Sequence, residues 1–357
     1  MQIAVDISQV GYEGTGVARF THGLIEAICS YDQSHYWTFL YSSMRQPLPE
    51  TVRNVIMKRN FSLITYPIPP RALSILWNDL HTIRAEALIG SQDWFISSDW
   101  TQPPSRAKKA TVVHDLIFKV HPETVGGLIQ STQEKRLKHV ARECSLIFTD
   151  SMTTKMDLKQ YYSIDDDAVV VNYPGIDPVV QPQSIKKTER PFILSVGKLE
   201  PRKNINLLIQ AFQATHREDI DLYIVGAKGW GAQLTNVPSN VKLLGFVSDI
   251  ELERLYALCM FFVFPSIYEG FGYPALEAMR MGAPTALANT SSLAEIGEGA
   301  AELFDPHSLT AMTKALKTLM ENQKLRADLA AKGKRRAADF TWKRYVKTLT
   351  AELEKRI

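Results

Sequence analysis

Residues Phe261–Met281 read FFVFPSIYEGFGYPALEAMRM, and this stretch decides the fold of the second half of the chain. It begins as a buried strand, breaks at Pro265, passes through a glycine loop and restarts as a helix at Pro274, with Glu277 predicted in the first turn. A strand, a loop and a helix start in succession are typical of parallel α/β sheets. The free backbone N–H groups at such a helix start favour a phosphate or another anion. Glu269 and Glu277 flank that point, which suits a ligand that is anionic at one end and rich in hydroxyls elsewhere.

The composition predicts an ordinary globular protein of two domains. The chain has 357 residues, of which 45% are hydrophobic and 22% are charged, and it is too long for one ordinary core. The polar, aperiodic stretch of residues 181–190 predicts the domain linker, which gives a first domain of residues 1–185 and a second of residues 186–341. The last helix, residues 342–357, is expected to pack back on the first domain. The formal net charge of +3 gives no indication of nucleic-acid binding.

The cysteines and the N-terminus predict a cytoplasmic protein. Cys29, Cys144 and Cys259 lie far apart in apolar surroundings, which predicts reduced thiols. The first residues, MQIAVDISQV, lead directly into a strand and lack the pattern of a secretion signal. The sequence has no run of about eighteen or more apolar residues, so no membrane span is predicted. Peripheral contact with the inner face of the membrane remains open.

The first half begins with a strand, a glycine loop and a helix. Residues 2–7 have a buried-strand pattern, and the loop that carries Gly14, Thr15 and Gly16 leads into an apolar-periodic helix. The backbone of such a loop can approach a ligand closely. The spacing departs from the GxGxxG pattern, and a loop that merely connects strand to helix is the alternative. Further along, residues 73–88 are predicted as a helix.

A predicted strand at residues 110–113 places His114 and Asp115 at its carboxyl end, where parallel α/β sheets bind their ligands. An imidazole there can contact a sugar hydroxyl or assist at a reacting centre, and the acid next to it could orient it. A histidine that only satisfies backbone groups is the alternative. The basic helix at residues 133–142 is interpreted as a solvated face, with contact to an anionic membrane or a lipid phosphate as the alternative.

The second half repeats the alternation of strand and helix. Such alternation requires right-handed parallel crossovers, so both halves are predicted to be doubly wound. Arg202 and Lys203 follow the strand at residues 192–196 at a loop-to-helix junction. They could neutralise a diphosphate leaving group, the arginine through a bidentate fork and the lysine as a point charge. A pair of surface cations is the alternative, although the helix dipole disfavours cations there.

The two glutamates are given separate predicted roles. Glu277 is expected to accept both hydroxyls of a ribose, and Glu269 the hydroxyls of a transferred sugar. Two carboxylates also suit a glycosidase, but the glycine loop and the cation pair favour a nucleotide. The acidic runs Asp165–Asp167 and Asp219–Asp221 are both interpreted as solvated turn residues, so no metal site is predicted.

Several ordered motifs carry a family resemblance. SVGKLEPRKN at 195–204, EGFGYPALE at 269–277 and SSLAEIGEGAAELFDP at 291–306 resemble the C-terminal half of retaining glycosyltransferase family 4, which has the GT-B fold. EGFGYPALE matches that family's E-x7-E motif throughout. GTGVARF at 14–20 and VVHDLIF at 112–118 resemble its glycine loop and strand-end histidine.

The resemblance implies two Rossmann-like domains facing across a cleft, with the donor held mainly by the C-terminal domain and the acceptor mainly by the N-terminal one. Catalytic roles are assigned to His114, Arg202, Lys203 and Glu269. The donor site is assigned to Gly14, Thr15, Gly16, Gly197, Arg202, Lys203, Glu269, Gly270, Phe271, Gly272, Tyr273 and Glu277. Transfer would be metal-independent, use no cofactor and retain the anomeric configuration.

The compact length and the HDL motif at 114–116 resemble the bacterial mannosyltransferase-like branch that acts in O-antigen or exopolysaccharide assembly. The expected function is therefore hexose transfer, first of all mannose from GDP-mannose, to a glycan or lipid-linked glycan acceptor. The alternatives are another nucleotide-sugar enzyme of the same fold, an epimerase or a phosphorylase, and a catalytically silent glycan-binding scaffold.

Overall fold

The computed structural model describes residues 1–12, 14–176, 188–227, 229 and 237–357, and these form two compact units. The first unit consists of Met1–Gly175 and Thr341–Ile357, and the second of Ile176–Phe340. The predicted boundary between residues 185 and 186 lies outside the described residues. The break falls earlier, at Gly175, because Ile176 already donates its N–H to the carbonyl oxygen of Phe340 at 3.3 Å.

The first unit is built on a seven-stranded parallel sheet. Its strands are β1 (Gln2–Asp6), β2 (Tyr36–Ser42), β3 (Ser62–Tyr66), β4 (Trp94–Ser97), β5 (Lys108–Val113), β6 (Leu146–Thr149) and β7 (Val169–Val171). Their order in the sheet is β3-β2-β1-β4-β5-β6-β7. The chain builds outward from β1 on one side and resumes at β4 on the other, so the carboxyl ends of β1 and β4 flank the topological switch point.

Within the described residues of this unit, seven α-helices connect the strands. They are α1 (Gly16–Tyr31), α2 (Glu50–Lys58), α3 (Pro70–Ser74), α4 (Glu86–Ile89), α5 (Ile117–Val120), α6 (Gly127–Glu143) and α7 (Met152–Tyr162). Short 3-10 turns occupy Ser8–Gly11, Pro122–Thr124 and Asp166–Ala168.

The helix predicted at residues 73–88 is broken in the structure, and that prediction was wrong. α3 runs into a π-helical turn at Ile75–Asp79, and the chain then leaves helical geometry because His81 and Ile83 both adopt positive φ. Helix resumes only with α4. The break presents His81 on an irregular segment instead of a helix face.

The basic stretch at residues 133–142 is not simply a solvated face. Arg136 is 0% exposed. Its Nη2 donates to Thr111 Oγ1 at 2.7 Å and to the Val112 carbonyl at 2.9 Å, and its Nε donates to the Ser98 carbonyl at 3.1 Å. A guanidinium can be buried in this way because its fork of donors finds acceptors at the ends of neighbouring strands.

The second unit is built on a six-stranded parallel sheet. Its strands are β8 (Phe192–Val196), β9 (Asp221–Val225), β10 (Val241–Gly245), β11 (Phe261–Phe264), β12 (Thr285–Ala288) and β13 (Glu302–Phe304). The order β10-β9-β8-β11-β12-β13 has the Rossmann pattern, with its switch point between β8 and β11. The predicted pair of doubly wound, Rossmann-like domains is confirmed.

Helices connect the strands of the second unit, and the last two follow one another directly. They are α8 (Ile205–Gln213), α9 (Asp249–Leu258), α10 (Tyr273–Met281), α11 (Ser291–Gly297), α12 (Leu309–Glu321) and α13 (Gln323–Ala337), with a 3-10 turn at Pro201–Lys203.

The C-terminal helix α14 (Trp342–Glu354) belongs to the first unit and packs against α1. Glycine is required where the two meet. A Cβ added to Gly23 of α1 would lie 2.1 Å from the Trp342 ring, and one added to Gly175 would lie 2.2 Å from the Trp342 backbone nitrogen. In the described part of the chain, every helix is too short or too polar to cross a membrane.

Candidate active site

The switch point of the second sheet gathers the residues that the opening stretch predicted. β8 and β11 are neighbours in the sheet. The segment after β8 carries Arg202 and Lys203 on its 3-10 turn, and the segment after β11 carries Glu269. The Ile267 N–H donates to the Arg202 carbonyl at 2.9 Å, which joins the two segments through the backbone.

Lys203 and Glu269 form a buried ion pair. Lys203 is 7% exposed and Glu269 is 8% exposed, and the Lys203 ammonium donates to Glu269 Oε1. The same ammonium lies 4.9 Å from the centre of the Phe264 ring. Burial alone would raise the pKa of Glu269, but the charges of Lys203 and Arg202 outweigh it and hold that pKa at about 2. Burial also lowers the pKa of Lys203, against the opposing effect of the carboxylate.

Arg202 binds the second oxygen of the same carboxylate. Its Nη1 donates to Glu269 Oε2 at 3.0 Å, and its Nε donates to Glu200 Oε2 at 3.1 Å. Two cations are therefore held in place by two carboxylates. An anionic ligand that reached Arg202 and Lys203 would have to compete with Glu269 for them, so Glu269 is first of all the internal counterion of the cation pair.

Gly197 and Gly226 allow the backbones behind the cations to approach closely. Gly197 has φ +158°, and a Cβ there would lie 3.3 Å from Cδ of Lys203. Gly226 follows β9, and a Cβ there would lie 2.0 Å from the Gly197 carbonyl oxygen. Gly226 was not among the predicted site residues. Its position directly after a predicted strand is the signal that could have identified it.

The glycine loop after Glu269 is braced by a serine pair that sequence reasoning missed. Ser291 Oγ accepts from the Glu269 N–H at 3.0 Å. Ser292 Oγ donates to the carbonyls of Glu269 at 2.9 Å and Phe271 at 2.8 Å. Gly270, Phe271, Gly272 and Tyr273 continue the chain into α10, whose N-cap Gly272 has φ +102°. These serines begin the 291–306 motif that carries part of the family resemblance, and their role in the structure is to hold the backbone of the glycine loop.

The prediction that Glu277 lies in the first turn of its helix was wrong. The helix α10 begins at Tyr273, and Glu277 is its fifth residue. The stabilising effect of the helix dipole falls off within the first turn. Instead, the Tyr256 hydroxyl donates to Glu277 Oε2 at 3.1 Å and orients this half-buried carboxylate. Tyr256 lies on α9 and was not predicted.

In the first unit, Gly14, Thr15 and Gly16 form the start of α1. Thr15 is the N-cap, and its Oγ1 accepts from the Ala18 N–H at 3.1 Å. Gly14 has φ +76°, a left-handed conformation that favours glycine. These residues shape the helix start that follows β1, beside the first switch point.

His114 also belongs to the first unit, at the carboxyl end of β5. Its Nδ1 lies 2.6 Å from Asp150 Oδ2, at the end of the neighbouring strand β6. The adjacent Asp115 instead accepts from the Ile117 N–H at 3.0 Å, so the hydrogen-bonded acid is Asp150. Burial alone would lower the pKa of His114, but the charge and hydrogen bond of Asp150 raise it to about 9. The Phe20 ring packs edge-on at 4.6 Å between ring centres.

The two acidic runs are engaged at least in part by cations. Asp166 pairs with Lys155 and Lys159, and Asp219 with Arg217. The interpretation of Asp221 as a solvated turn residue was wrong, because it is the buried first residue of β9.

Comparisons with known proteins identify the family of the second unit and relatives of the whole chain. Residues 178–336 match the family described as "Glycosyl transferases group 1". The chain is 26% identical to O-antigen chain mannosyltransferase B of Escherichia coli over 96% of each chain. It is 32% identical to the serotype-specific mannosyltransferase WbdA of Escherichia coli, over 66% of this chain and 32% of that protein. The structure of sucrose-phosphate synthase from Thermosynechococcus elongatus is similar, with a TM-score of 0.76, 16% identity and 100% of both chains covered. Residues 178–336 therefore form a glycosyl transferases group 1 domain, and the chain is a glycosyltransferase with the GT-B fold.

Proposed function

We propose that this glycosyltransferase transfers mannose from GDP-mannose to a glycan or lipid-linked glycan acceptor, with retention of configuration and without a metal ion or other cofactor. The observation that carries the proposal is the cluster of Arg202, Lys203 and Glu269 at the switch point of the second sheet. The choice of mannose rests on the names of the two Escherichia coli relatives, which are mannosyltransferases. The resemblance to family 4 suggests retention.

The second unit supplies the groups that the donor needs. In this proposal the diphosphate replaces Glu269 as the partner of Arg202 and Lys203, because two fixed cations stabilise the charge that develops on the leaving group. Glu269, released from one or both cations, accepts hydroxyls of the transferred sugar. Glu277, held by Tyr256, accepts the ribose hydroxyls.

The remaining donor residues act through the backbone. Gly197 keeps space beside the Lys203 stem, and the amides of the loop at residues 270–273 contact phosphate or sugar. In the first unit, the backbone of the loop at residues 14–16 is proposed to contact a donor molecule. Because these contacts use N–H groups at helix starts, they suit an anion without a bound metal.

His114 is proposed to donate a hydrogen bond to a sugar oxygen. Its Nδ1 is committed to Asp150, so Nε2 is the atom that can face a substrate. With its pKa raised to about 9, the ring carries a proton at this atom at neutral pH. An imidazolium donor fits the stabilisation of charge better than it fits general-base chemistry.

The acceptor and the location of the enzyme are further parts of the proposal. The name of the relative that covers nearly the whole chain refers to the O-antigen chain, which suggests a surface polysaccharide built on a lipid-linked carrier. We therefore place the reaction in the cytoplasm at the inner face of the membrane. Sedimentation of the purified chain with anionic lipid vesicles tests this placement, and a chain that stays in the supernatant at low salt would contradict it.

The decisive experiment is a screen of nucleotide sugars against the full chain, scored by thermal stabilisation and by donor hydrolysis. GDP-mannose should stabilise the protein most and be hydrolysed slowly in excess EDTA. With an acceptor, NMR of the product should show that the anomeric configuration of the donor is kept. Preference for a UDP-sugar would contradict GDP-mannose as the donor. Loss of activity in EDTA would contradict metal-independent transfer, and a product of inverted configuration would contradict the retaining mechanism.

A further inference from the structure

A cluster of metal-ligating side chains lies in the first unit, apart from every residue proposed for transfer. His81 follows the π-helical turn, and His139 and Glu143 lie one turn apart on α6. One atom from each, two ring nitrogens and a carboxylate oxygen, lie within 4.8 Å of one another. His81 Nε2 is 2.8 Å from Glu143 Oε1, and His139 Nδ1 is 3.5 Å from the same oxygen.

Backbone carbonyls fix which nitrogen of each ring faces the cluster. His81 Nδ1 lies 2.8 Å from the Trp77 carbonyl oxygen, and His139 Nε2 lies 3.0 Å from the Asn78 carbonyl oxygen. A carbonyl only accepts, so these nitrogens carry the protons. When the rings are neutral, the other nitrogen of each presents a lone pair to the cluster. Metal-bound histidines are typically held in this way, with the second ring nitrogen donating to a carbonyl or carboxylate.

The surroundings of the cluster are suited to a divalent cation. Lys109 donates to Glu143 Oε2 at 2.8 Å, which orients the carboxylate and leaves Oε1 facing the rings. Arg142 Nη2 lies 2.9 Å from His139 Nδ1, but Arg142 is exposed and can turn away into solvent when an ion takes its place. Once Arg142 has turned away, the lone pairs of the two neutral rings and the anionic oxygen of Glu143 repel one another, and a cation between them removes that repulsion.

We propose that His81 Nε2, His139 Nδ1 and Glu143 Oε1 bind a divalent ion of the zinc class, with water as the fourth ligand. Two imidazoles and one carboxylate are a ligand set that zinc accepts in tetrahedral geometry. Bonds of about 2.0–2.1 Å require ligand atoms about 3.4 Å apart. The rings are now stacked with their centres 3.8 Å apart, so a tilt of one ring brings the two nitrogens onto one ion.

Such an ion would join two segments of the first unit and would have a structural role, with no part in sugar transfer. His81 stands on the irregular segment between α3 and α4, whereas its two partners stand on α6. An ion that binds only when both segments are in place stabilises the folded first unit by mass action. No metal-ligand spacing in the sequence predicts this site, because His81 lies far along the chain from His139 and Glu143.

The test uses the full chain, stripped with a chelator and titrated with Zn²⁺ in competition with a chromophoric chelator. One ion should bind per chain and raise the melting temperature. His81→Ala and His139→Ala should each weaken binding at least about tenfold and abolish the thermal shift. His22→Ala is the matched control, since His22 is an exposed histidine of α1 in the same unit, and it should bind as the wild type does.

Glu143→Gln keeps the size of the side chain and an oxygen for Lys109, so it serves if an alanine variant does not fold. It should also weaken binding at least about tenfold. Co²⁺ in place of Zn²⁺ should give d–d bands without a thiolate charge-transfer band, which separates this site from Cys144 nearby. Equal binding by wild type, His81→Ala and Glu143→Gln, a thiolate band, or no binding by the wild type would each overturn the proposal.

Discussion

Each unit has a charge pair at the carboxyl ends of two neighbouring strands, and the two pairs differ in how completely their charges are satisfied. Lys203 and Glu269 follow the neighbouring strands β8 and β11, and His114 and Asp150 follow the neighbouring strands β5 and β6. Both oxygens of Glu269 accept from cations. In contrast, Asp150 Oδ2 is bound by His114, while Oδ1 has no hydrogen-bond partner within the described ranges.

The difference separates a fixed electrostatic site from a titratable one. The pKa of Glu269 is held at about 2, so its carboxylate stays ionised at any pH at which the protein works. The pKa of His114 is raised to about 9, close enough to physiological pH for its proton to be lost in mild alkali. We therefore expect the second unit to hold a cation pair whose counterion Glu269 does not titrate near neutral pH. The first unit should supply a hydrogen-bond donor that depends on the proton of His114.

The sharpest test of the fixed site is Lys203→Ala. It removes the ammonium and leaves Glu269 buried with only Arg202 as a cationic partner, so transfer should fall at least about a hundredfold, as loss of a transition-state charge partner does. Breaking a buried pair also costs about 3–5 kcal/mol of stability. Turnover and melting temperature are measured together, with the exposed Lys332→Ala of α13 as control. Turnover within a few-fold of wild type in a folded Lys203→Ala protein would remove this lysine from the leaving-group role.

Glu269 and Glu277 should respond differently if their roles are divided as proposed. Glu269→Gln removes the counterion that competes with the diphosphate, so free GDP should bind as tightly as before or more tightly, while sugar transfer falls by about tenfold or more. Glu277→Ala should weaken GDP binding by about tenfold, since a charged hydrogen bond to the ribose is lost. Calorimetry with GDP and turnover with GDP-mannose distinguish the two. Parallel losses in both variants would show that the carboxylates act as one unit.

The sequence could predict the fold because most strands are apolar runs that end at loops carrying glycine or polar residues. β8 and β11 are FILSV and FFVF, and both were predicted with their observed bounds. β12, TALA, was missed because its residues are small and three of them have weak strand preference. It forms a strand because both faces are buried in the sheet, and burial is a tertiary effect that local preference cannot register.

Single site residues could be predicted where a local sequence motif contains them. Contacts between residues from different motifs could not be predicted, because they depend on the order of the strands in the sheet. Lys203 and Glu269 were each identified, but the hydrogen bonds between them depend on β8 and β11 being neighbours. Asp150 directly follows β6 and was not predicted, because Asp115 is nearer to His114 in sequence. The doubly wound order of the sheet, applied to strand ends, would have paired His114 with Asp150.

The pair of His114 and Asp150 gives the smallest expected effect on turnover, and the direction of its pH dependence is defined. The pKa of His114 is raised in the folded state, so its contribution to stability is complete below the ordinary histidine pKa of about 6.5 and is lost as pH rises through about 9. If the proton on His114 assists transfer, turnover should fall to about half its neutral-pH value near pH 9. The pH profile of kcat/KM measures this directly.

Asp150→Asn decides whether the pair sets that profile. Without the carboxylate, burial lowers the pKa of His114 with only the smaller effects of the Asp99 and Asp115 charges against it. The alkaline fall should therefore move down by more than about one pH unit. His114→Gln should remove the fall, whereas His22→Gln should leave it in place. A profile that stays the same in Asp150→Asn would mean that the alkaline limb belongs to another group. The contrast between a fixed pair and a titratable pair would then lose its functional meaning, although both ion pairs would remain features of the fold.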